Sequence, residues 1–143
     1  MKASSVQVRS ATIQDADAVG DLASRLVVSF PFSRARFHES YATLLSADDA
    51  CVLVATDGDD VLGYLLGVTH GTFYANGPVA WVQEIFVHDQ ARRRGIGRAL
   101  MLACEAWATE RGCGLVSLAT RRAAPFYLAL GFEESAAYLR KVL

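Results

Sequence analysis

The chain has 143 residues, of which 52% are hydrophobic and 20% are charged, and its formal net charge is -1. A chain of this length favours one domain with a core large enough to fold without disulfides or metal, so we predict a single domain over residues 1–143. The hydrophobic content argues against disorder. The near-zero charge provides no global attraction for nucleic acid or an anionic membrane, so we expect neither as a partner.

Cysteine usage indicates a reducing compartment. The three cysteines, Cys51, Cys104 and Cys113, are odd in number and widely spaced, which argues against a disulfide framework or a zinc site. We therefore predict reduced thiols and a cytoplasmic location. Residues 1–7 lack the apolar segment of a signal peptide, and no apolar run approaches the roughly 18 residues that span a membrane.

The hydrophobic pattern predicts strands and helices mixed along one α/β domain. Thr12 and Asp15 compete as the N-cap of the first helix, whose apolar positions are Val19, Leu22, Ala23, Leu26 and Val27. The predicted elements, in chain order, are strand 5–11, a helix from 12 or 15 to about 29, helix 34–45, strands 51–55, 61–69 and 79–88, helix 97–111, strand 115–119, helix 123–130 and strand 138–143.

The clearest chemical signal lies at the junction between strand 79–88 and helix 97–111, where residues 92–98 read Arg-Arg-Arg-Gly-Ile-Gly-Arg. The first turn of a helix leaves about four backbone N–H groups without intrahelical partners, and the helix dipole adds roughly half a positive charge. Glycines let the backbone approach a ligand, and arginines attract anions. The junction therefore predicts a phosphate or pyrophosphate site. Three consecutive arginines alone would favour a solvated basic surface.

Two common nucleotide motifs do not fit. Leu100 occupies the third glycine position of a dinucleotide fingerprint, and the Walker pattern is absent. Arg92-x-x-Gly95-x-Gly97 instead resembles the acetyl-CoA signature of the GNAT superfamily of N-acyltransferases. Residues 83–88 resemble the fourth strand of that superfamily, and residues 123–132 resemble its A-x-x-F-Y-x-x-x-G-F segment. The order of elements agrees over nearly the whole chain, and the resemblance is most specific from 83 to 132.

This resemblance implies a mixed central sheet in the order strand, two helices, three strands, helix, strand, helix and two closing strands. It implies an N-acetyltransferase that moves an acetyl group from acetyl-CoA, its co-substrate, to a primary amine of a small molecule by direct attack. The histidines show no metal-binding spacing, so we predict no metal. Homodimers are common in the family, so a homodimer is compatible with the resemblance.

The resemblance also implies which residues hold acetyl-CoA. The backbone of the 92–98 loop binds the pyrophosphate. The pantetheine arm lies between strands 79–88 and 115–119 and pairs with backbone of Phe86 and His88 or Val87 like an added strand. Thr120 stands where many members carry an asparagine that binds pantetheine. The expected cofactor-binding residues are Phe86, Val87, His88, Arg92, Arg93, Arg94, Gly95, Ile96, Gly97, Arg98, Thr120 and Phe126.

Two residues are candidates for catalysis. In the family a tyrosine at the position of Tyr127 lies near the CoA sulfur and protonates the departing thiolate; the alternative is an aromatic packing residue whose hydroxyl binds CoA. Glu84 is the one carboxylate in strand 79–88 and is the candidate general base. It has two alternatives, a structural carboxylate or a proton relay through water. Strict strand alternation places Gln83 and Glu84 on opposite faces.

The acceptor itself is left open by the sequence. Candidates to line its site are Phe30, Phe32, Arg34, Arg36, Tyr41, Tyr64, Phe73, Tyr74 and Trp81. Three other functions stay open: a non-catalytic acyl-CoA-binding regulatory module, a protein or peptide N-terminal acetyltransferase, and a nucleic-acid-binding domain that uses the arginine run. The near-neutral charge counts against the last of these.

Overall fold

A computed structural model describes residues 5–26 and 29–143. The predicted helical position Val27 and residues 1–4 lie outside the described residues. Five strands form one sheet in the order β1 (Val6–Ser10), β2 (Ala50–Asp57), β3 (Asp60–Gly71), β4 (Pro78–Val87) and β5 (Val116–Leu118). β1 to β4 are antiparallel neighbours, and β5 runs parallel to β4. The helices are α1 (Ala16–Leu26), α2 (Arg34–Ser46), α3 (Ile96–Glu110) and α4 (Ala124–Ala129).

The helices cover both faces of the sheet, which confirms the predicted α/β class. On one face, α1 and α2 pack on Val54 of β2 and Tyr64 of β3. On the other face, α3 and α4 pack on Leu53 and Leu65. Adjacent strand residues divide between the two cores because successive side chains point to opposite faces of a strand. No helix in the described ranges is long and apolar enough to cross a membrane.

β4 and β5 separate partway along β4. They pair only between residues 80–82 and 116–118, whereas β4 continues to Val87. At the point of separation the register with β3 jumps from Glu84 opposite Leu66 to Val82 opposite Gly67, so Gln83 is the extra residue of a β-bulge. The sheet therefore opens into a gap beside residues 83–87 of β4.

The C-terminal segment differs from the sequence prediction. Residues 132–143 form neither helix nor strand, whereas a closing strand was predicted over 138–143. Side-chain contacts hold the segment instead: the Tyr138 ring stacks on Trp81 with centroids 6.2 Å apart, and Arg140 donates to the Ser29 hydroxyl at 2.9 Å. Leu139 is 89% exposed, so its apolar side chain finds no buried face that would favour a strand at this position.

Candidate active site

The loop before α3 presents a row of unpaired backbone donors. Arg93 has φ 67 and Gly95 has φ 73, left-handed conformations that turn the chain sharply into the helix. The backbone N–H groups of residues 93–98 have no hydrogen-bond acceptor among the described residues. Together with the helix dipole, these donors are suited to bind an anion.

Two of the four arginines at residues 92–98 form ion pairs with described residues and two do not. Arg92 forms an ion pair with Asp89 at 3.1 Å, and Arg94 forms one with Asp57 at 2.9 Å. Arg93 and Arg98 make no ion pair or hydrogen bond within the described ranges. Arg92 and Arg94 therefore shape the loop, while Arg93 and Arg98 remain available to an anionic ligand.

α4 packs directly against the start of α3. A Cβ atom added to Gly97 would lie 3.2 Å from Cζ of Phe126, so the absence of a side chain at position 97 lets the Phe126 ring approach the helix. Phe126 meets the Tyr127 ring edge to face with centroids 5.0 Å apart. The structure thus brings together the glycine loop and the Phe-Tyr segment, which are separated by about thirty residues in the sequence.

Tyr127 is buried on the α3–α4 side of the sheet, with a relative exposure of 8%. Its hydroxyl makes no hydrogen bond within the described part of the chain, and no buried side-chain polar atom there lacks a partner. The hydroxyl oxygen therefore reaches accessible space, although the ring is enclosed. Burial raises the pKa of the phenol above its ordinary value, so it is a proton donor at neutral pH.

The open edge of β4 offers backbone groups at alternate residues. His88 donates its N–H to the Leu62 carbonyl at 2.7 Å, and in an antiparallel ladder the hydrogen-bonded pairs alternate with non-bonded ones. The pairs Leu62–His88 and Tyr64–Phe86 are therefore the bonded ones. Of the predicted pantetheine contacts, only Val87 directs its backbone toward the gap.

Ile85 directs its backbone the same way and was missed by the sequence reasoning. The signal that could have found it is the two-residue period of the strand, counted from Val87.

Glu84 lies on the opposite side of the sheet from Tyr127. It accepts a hydrogen bond at 2.8 Å from the hydroxyl of Tyr64, which belongs to the core beneath α1 and α2. The bulge produces this orientation: Val82 and Ile85 both face the α3 core, so strict alternation does not hold across Gln83. The predicted opposition of Gln83 and Glu84 assumed an unbroken strand, and it stays a prediction because the break in alternation lies between Val82 and Glu84.

The Thr120 and His88 side chains each accept a hydrogen bond from a nearby backbone N–H group. The Thr120 hydroxyl oxygen accepts from the Ala123 N–H at 3.0 Å just before α4. The His88 Nδ1 accepts from the Gln90 N–H at 3.1 Å in the turn that leads to the arginine loop. Both residues thus shape the segments that carry Phe126 and the glycines.

The predicted acceptor-lining residues lie in several different parts of the structure. Tyr41 and Tyr64 are buried core residues, and Phe73 and Tyr74 are exposed in the turn between β3 and β4. Arg34 forms an ion pair with Asp21 at 2.7 Å and lies over the Phe32 ring. Its guanidinium is therefore already engaged and is not free to bind an anionic acceptor. Trp81 lies beneath Tyr138 of the C-terminal segment, on the strand that carries Glu84.

Cofactor chemistry in this site rests on backbone donors and single side chains. Within residues 5–26 and 29–143, no group of three or more His, Cys, Asp or Glu side chains is placed to hold a metal ion. Burial raises the pKa of the Cys51 thiol to about 11 and that of Cys104 to about 12, so neither is a ready nucleophile.

Comparisons with known proteins agree with this geometry. Residues 48–134 match the family model of the acetyltransferase (GNAT) domain. Aminoglycoside N(6')-acetyltransferase type 1 of Stenotrophomonas maltophilia is 32% identical over 144 residues, covering 94% of this chain and 91% of that protein. The enzyme of the same name from Salmonella typhimurium is 30% identical over 101 residues, 64% of this chain and 68% of that protein.

Solved structures share the fold. A transcriptional regulator from Bacillus halodurans superposes with a TM-score of 0.88 at 24% identity, covering 96% of this chain and 99% of that chain. An aminoglycoside N-acetyltransferase in complex with CoA superposes with a TM-score of 0.84 at 22% identity, covering 98% and 97%. Because the family model matches more than half of this chain, the chain is a GNAT-family acetyltransferase.

Proposed function

We propose that this acetyl-CoA-dependent acyltransferase transfers the acetyl group to a primary amine of a small molecule. The observation that carries the proposal is the gap between β4 and β5, which joins two chemically different sides of the sheet. The anion-binding loop and Tyr127 lie on the α3–α4 side, and Glu84 lies on the α1–α2 side. The thioester enters from the first side and the amine from the second.

Acetyl-CoA binds in three parts in this proposal. The pyrophosphate accepts hydrogen bonds from the N–H groups of residues 93–98, with Arg93 and Arg98 contributing charge. The pantetheine arm extends along β4 and pairs with the backbone of Ile85 and Val87, as an added strand would. Thr120 and Phe126 contribute by holding α4 against the start of α3, beside the bound cofactor.

The reaction proceeds by direct attack. Glu84 accepts a proton from the ammonium of the acceptor, directly or through a water, and the free amine nitrogen then forms a bond to the thioester carbon. The carbonyl electron pair moves to oxygen and returns as the carbon–sulfur bond breaks. The leaving thiolate takes its proton from the Tyr127 hydroxyl, and the second proton on nitrogen passes to solvent.

The role of Glu84 as the base is separable from a structural role. In Glu84→Gln the acidic limb of the pH–rate profile is expected to disappear together with most of the rate. A variant that keeps the limb at the wild-type position would assign Glu84 to structure alone.

The curated relatives point to an acceptor to test first. Their names describe acetylation of an amino group of aminoglycosides, and a neighbouring fold was solved with CoA-S-monomethyl-acetylneamine, a bisubstrate analogue. We propose an amino sugar of this kind as the acceptor. Trp81 and Tyr138, stacked on the Glu84 side, form a wall for its ring.

A screen of thiol release from acetyl-CoA tests the function. The panel holds aminoglycosides, polyamines, amino acids and short peptides, with Tyr127→Phe as the matched variant and an acceptor-free control. Release with a small amine, confirmed by the mass of the acetylated product, supports the proposal. CoA binding without release over the whole panel would instead favour a regulatory module, and release with peptides alone would favour an N-terminal acetyltransferase.

A further inference from the structure

We propose that Tyr64 is a positioning residue that holds the Glu84 carboxylate in the orientation required for proton acceptance. The inference rests on the proposed function, because it assigns a partner to the general base of that reaction. Its basis is a single contact between adjacent strands: the Tyr64 hydroxyl of β3 donates to Oε1 of Glu84 of β4 at 2.8 Å.

Tyr64 is a rigid donor. Its exposure is 2%, and it lies in the core between the sheet and helices α1 and α2. The residue directly opposite Tyr64 on β4 is Phe86, and Glu84 is opposite Leu66, so the phenol reaches diagonally along the same face. Glu84 is the one hydrogen-bond partner of this hydroxyl in the described ranges, so its direction is set by the ring position.

The need for an anchor arises from the bulge. The extra residue Gln83 interrupts the ladder immediately before Glu84, and a bulge turns the following side chain away from the face that regular alternation dictates. The Tyr64 hydrogen bond holds one carboxylate oxygen on the α1–α2 side. The second oxygen, Oε2, is left to meet an acceptor ammonium.

The Tyr64 hydroxyl keeps its proton while it makes this contact. Burial and the neighbouring Glu84 charge raise the pKa of Tyr64 well above its ordinary value, so the phenol remains a donor throughout the working range of pH.

Other charged groups on this side of β4 are occupied or exposed. The elements on this side carry further titratable residues: Arg9 of β1, Asp15 before α1, Asp17, Asp21 and Arg25 of α1, Arg34, Arg36, His38, Glu39 and Tyr41 of α2, and Tyr138, Arg140 and Lys141 of the C-terminal segment. Arg9 pairs with Asp15, and Tyr41 donates to the Thr12 carbonyl. Asp17 and Asp21 face His38 and Arg34, and Arg140 bonds Ser29. β5 contains no titratable side chain. Tyr64 is therefore the donor whose removal should act on Glu84.

The test is the pH–rate profile of kcat/KM for the amine in wild type, Tyr64→Phe and Tyr41→Phe. Tyr41 is the matched control, because it is also buried on the α1–α2 side and its hydroxyl donates to the Thr12 carbonyl at 2.7 Å. We expect Tyr64→Phe to lower the plateau of kcat/KM about tenfold, because the carboxylate loses the hydrogen bond that orients it. The KM for acetyl-CoA of Tyr64→Phe and the whole profile of Tyr41→Phe should match wild type.

Two further measurements keep the outcomes distinct. In the ligand-free protein at pH 7, the NMR signal of the Glu84 carboxyl carbon should move in Tyr64→Phe, because its hydrogen bond to the phenol is lost. In the Glu84→Gln background, Tyr64→Phe should cause no further loss of rate.

An unchanged plateau of kcat/KM and an unchanged Glu84 carboxyl-carbon signal in Tyr64→Phe would overturn the inference while leaving the acetyltransferase intact. Absence of thiol release from wild type with every amine would instead overturn the proposed function. A wild-type limb retained in Glu84→Gln would remove Glu84 as the base, and the role of Tyr64 with it.

Discussion

Asp57 at the end of β2 and Arg94 in the loop before α3 form an ion pair with 2.9 Å between Nη2 and Oδ2. The pair ties the β2–β3 turn to the loop whose backbone N–H groups we propose to bind the pyrophosphate. Asp57 also accepts a hydrogen bond from the Ser5 hydroxyl. The carboxylate therefore holds the loop in place without itself meeting an anionic ligand.

Removing this carboxylate should weaken acetyl-CoA binding and leave the chemistry unchanged. Since partly exposed ion pairs contribute up to about 1 kcal/mol, we expect Asp57→Asn to raise the KM for acetyl-CoA up to about fivefold at unchanged kcat. The difference should shrink in high salt. Asp60→Asn on the same hairpin is the control for the charge change, and an equal KM in both variants would argue against the ion pair.

The acid role of Tyr127 predicts a separation of rate from binding. General acid catalysis contributes about 10²–10⁴-fold, so Tyr127→Phe should lower kcat at least tenfold while the Kd for acetyl-CoA stays within about twofold. Burial raises the pKa of this phenol above its ordinary value, so it keeps its proton near neutral pH. Wild-type kcat should therefore show no decline from loss of this proton between about pH 7 and pH 9, because an ordinary phenol has a pKa of about 10. An unchanged kcat in the variant would assign the side chain to packing.

Gly63 on β3 allows close packing of the sheet against α3. A Cβ there would lie 3.0 Å from the Phe86 carbonyl oxygen and 3.4 Å from side-chain atoms of Ile96 and Leu100. Because that carbonyl belongs to the neighbouring strand and cannot move freely, Gly63→Ala should lower the free energy of unfolding by about 1–3 kcal/mol. Gly71→Ala, at the open end of the same strand, should leave it unchanged in the same denaturant titration.

Asp15 links β1 to the start of α1. A bidentate hydrogen bond from Arg9, at 2.8 and 2.9 Å, lowers the pKa of this carboxyl below its ordinary value, and the Thr12 N–H adds to the effect. A lowered pKa means that the stabilisation is present above pH 4 and is lost as the pH falls through the folded-state pKa.

We therefore expect Asp15→Asn to lower the free energy of unfolding by about 1–3 kcal/mol at pH 7, with the difference from wild type shrinking toward pH 3. Asp21→Asn breaks only an exposed ion pair with Arg34 and should cost less than about 1 kcal/mol. A difference for Asp15→Asn that is constant from pH 7 to pH 3 would contradict the charge-based explanation.

Local pattern was sufficient for most elements. The helix over 97–111 was predicted from the spacing of Leu100, Cys104 and other apolar residues, and α3 spans Ile96–Glu110 with both of these side chains buried. The strand predicted over 138–143 did not form. Its few apolar residues carried a strand-like signal, but Tyr138 is held by the Trp81 ring and Leu139 faces solvent. Long-range contacts decided the conformation there.

Within the site, the sequence predicted which residue types are present, but it did not predict the directions in which their side chains and backbone groups point. Phe86 and His88 were expected to offer backbone groups to pantetheine. The His88 N–H instead donates to Leu62 of β3, and the register with β3 directs the backbone groups of Ile85 and Val87 to the gap. One inserted residue in a strand reverses every later side chain. The bulge at Gln83 therefore had to be seen before Glu84 could be placed on the α1–α2 side.

The sequence by itself determined the α/β class, the family and the glycine–arginine loop, because each follows from local spacing and from motifs only a few residues long. The tertiary structure decided which arginines are tied to Asp89 and Asp57, which side of the sheet carries each catalytic candidate, and that Tyr64 meets Glu84. These relationships join residues 3 to 37 positions apart in the chain, and apart from the Arg92–Asp89 pair they depend on strand register and helix docking, which no local pattern encodes.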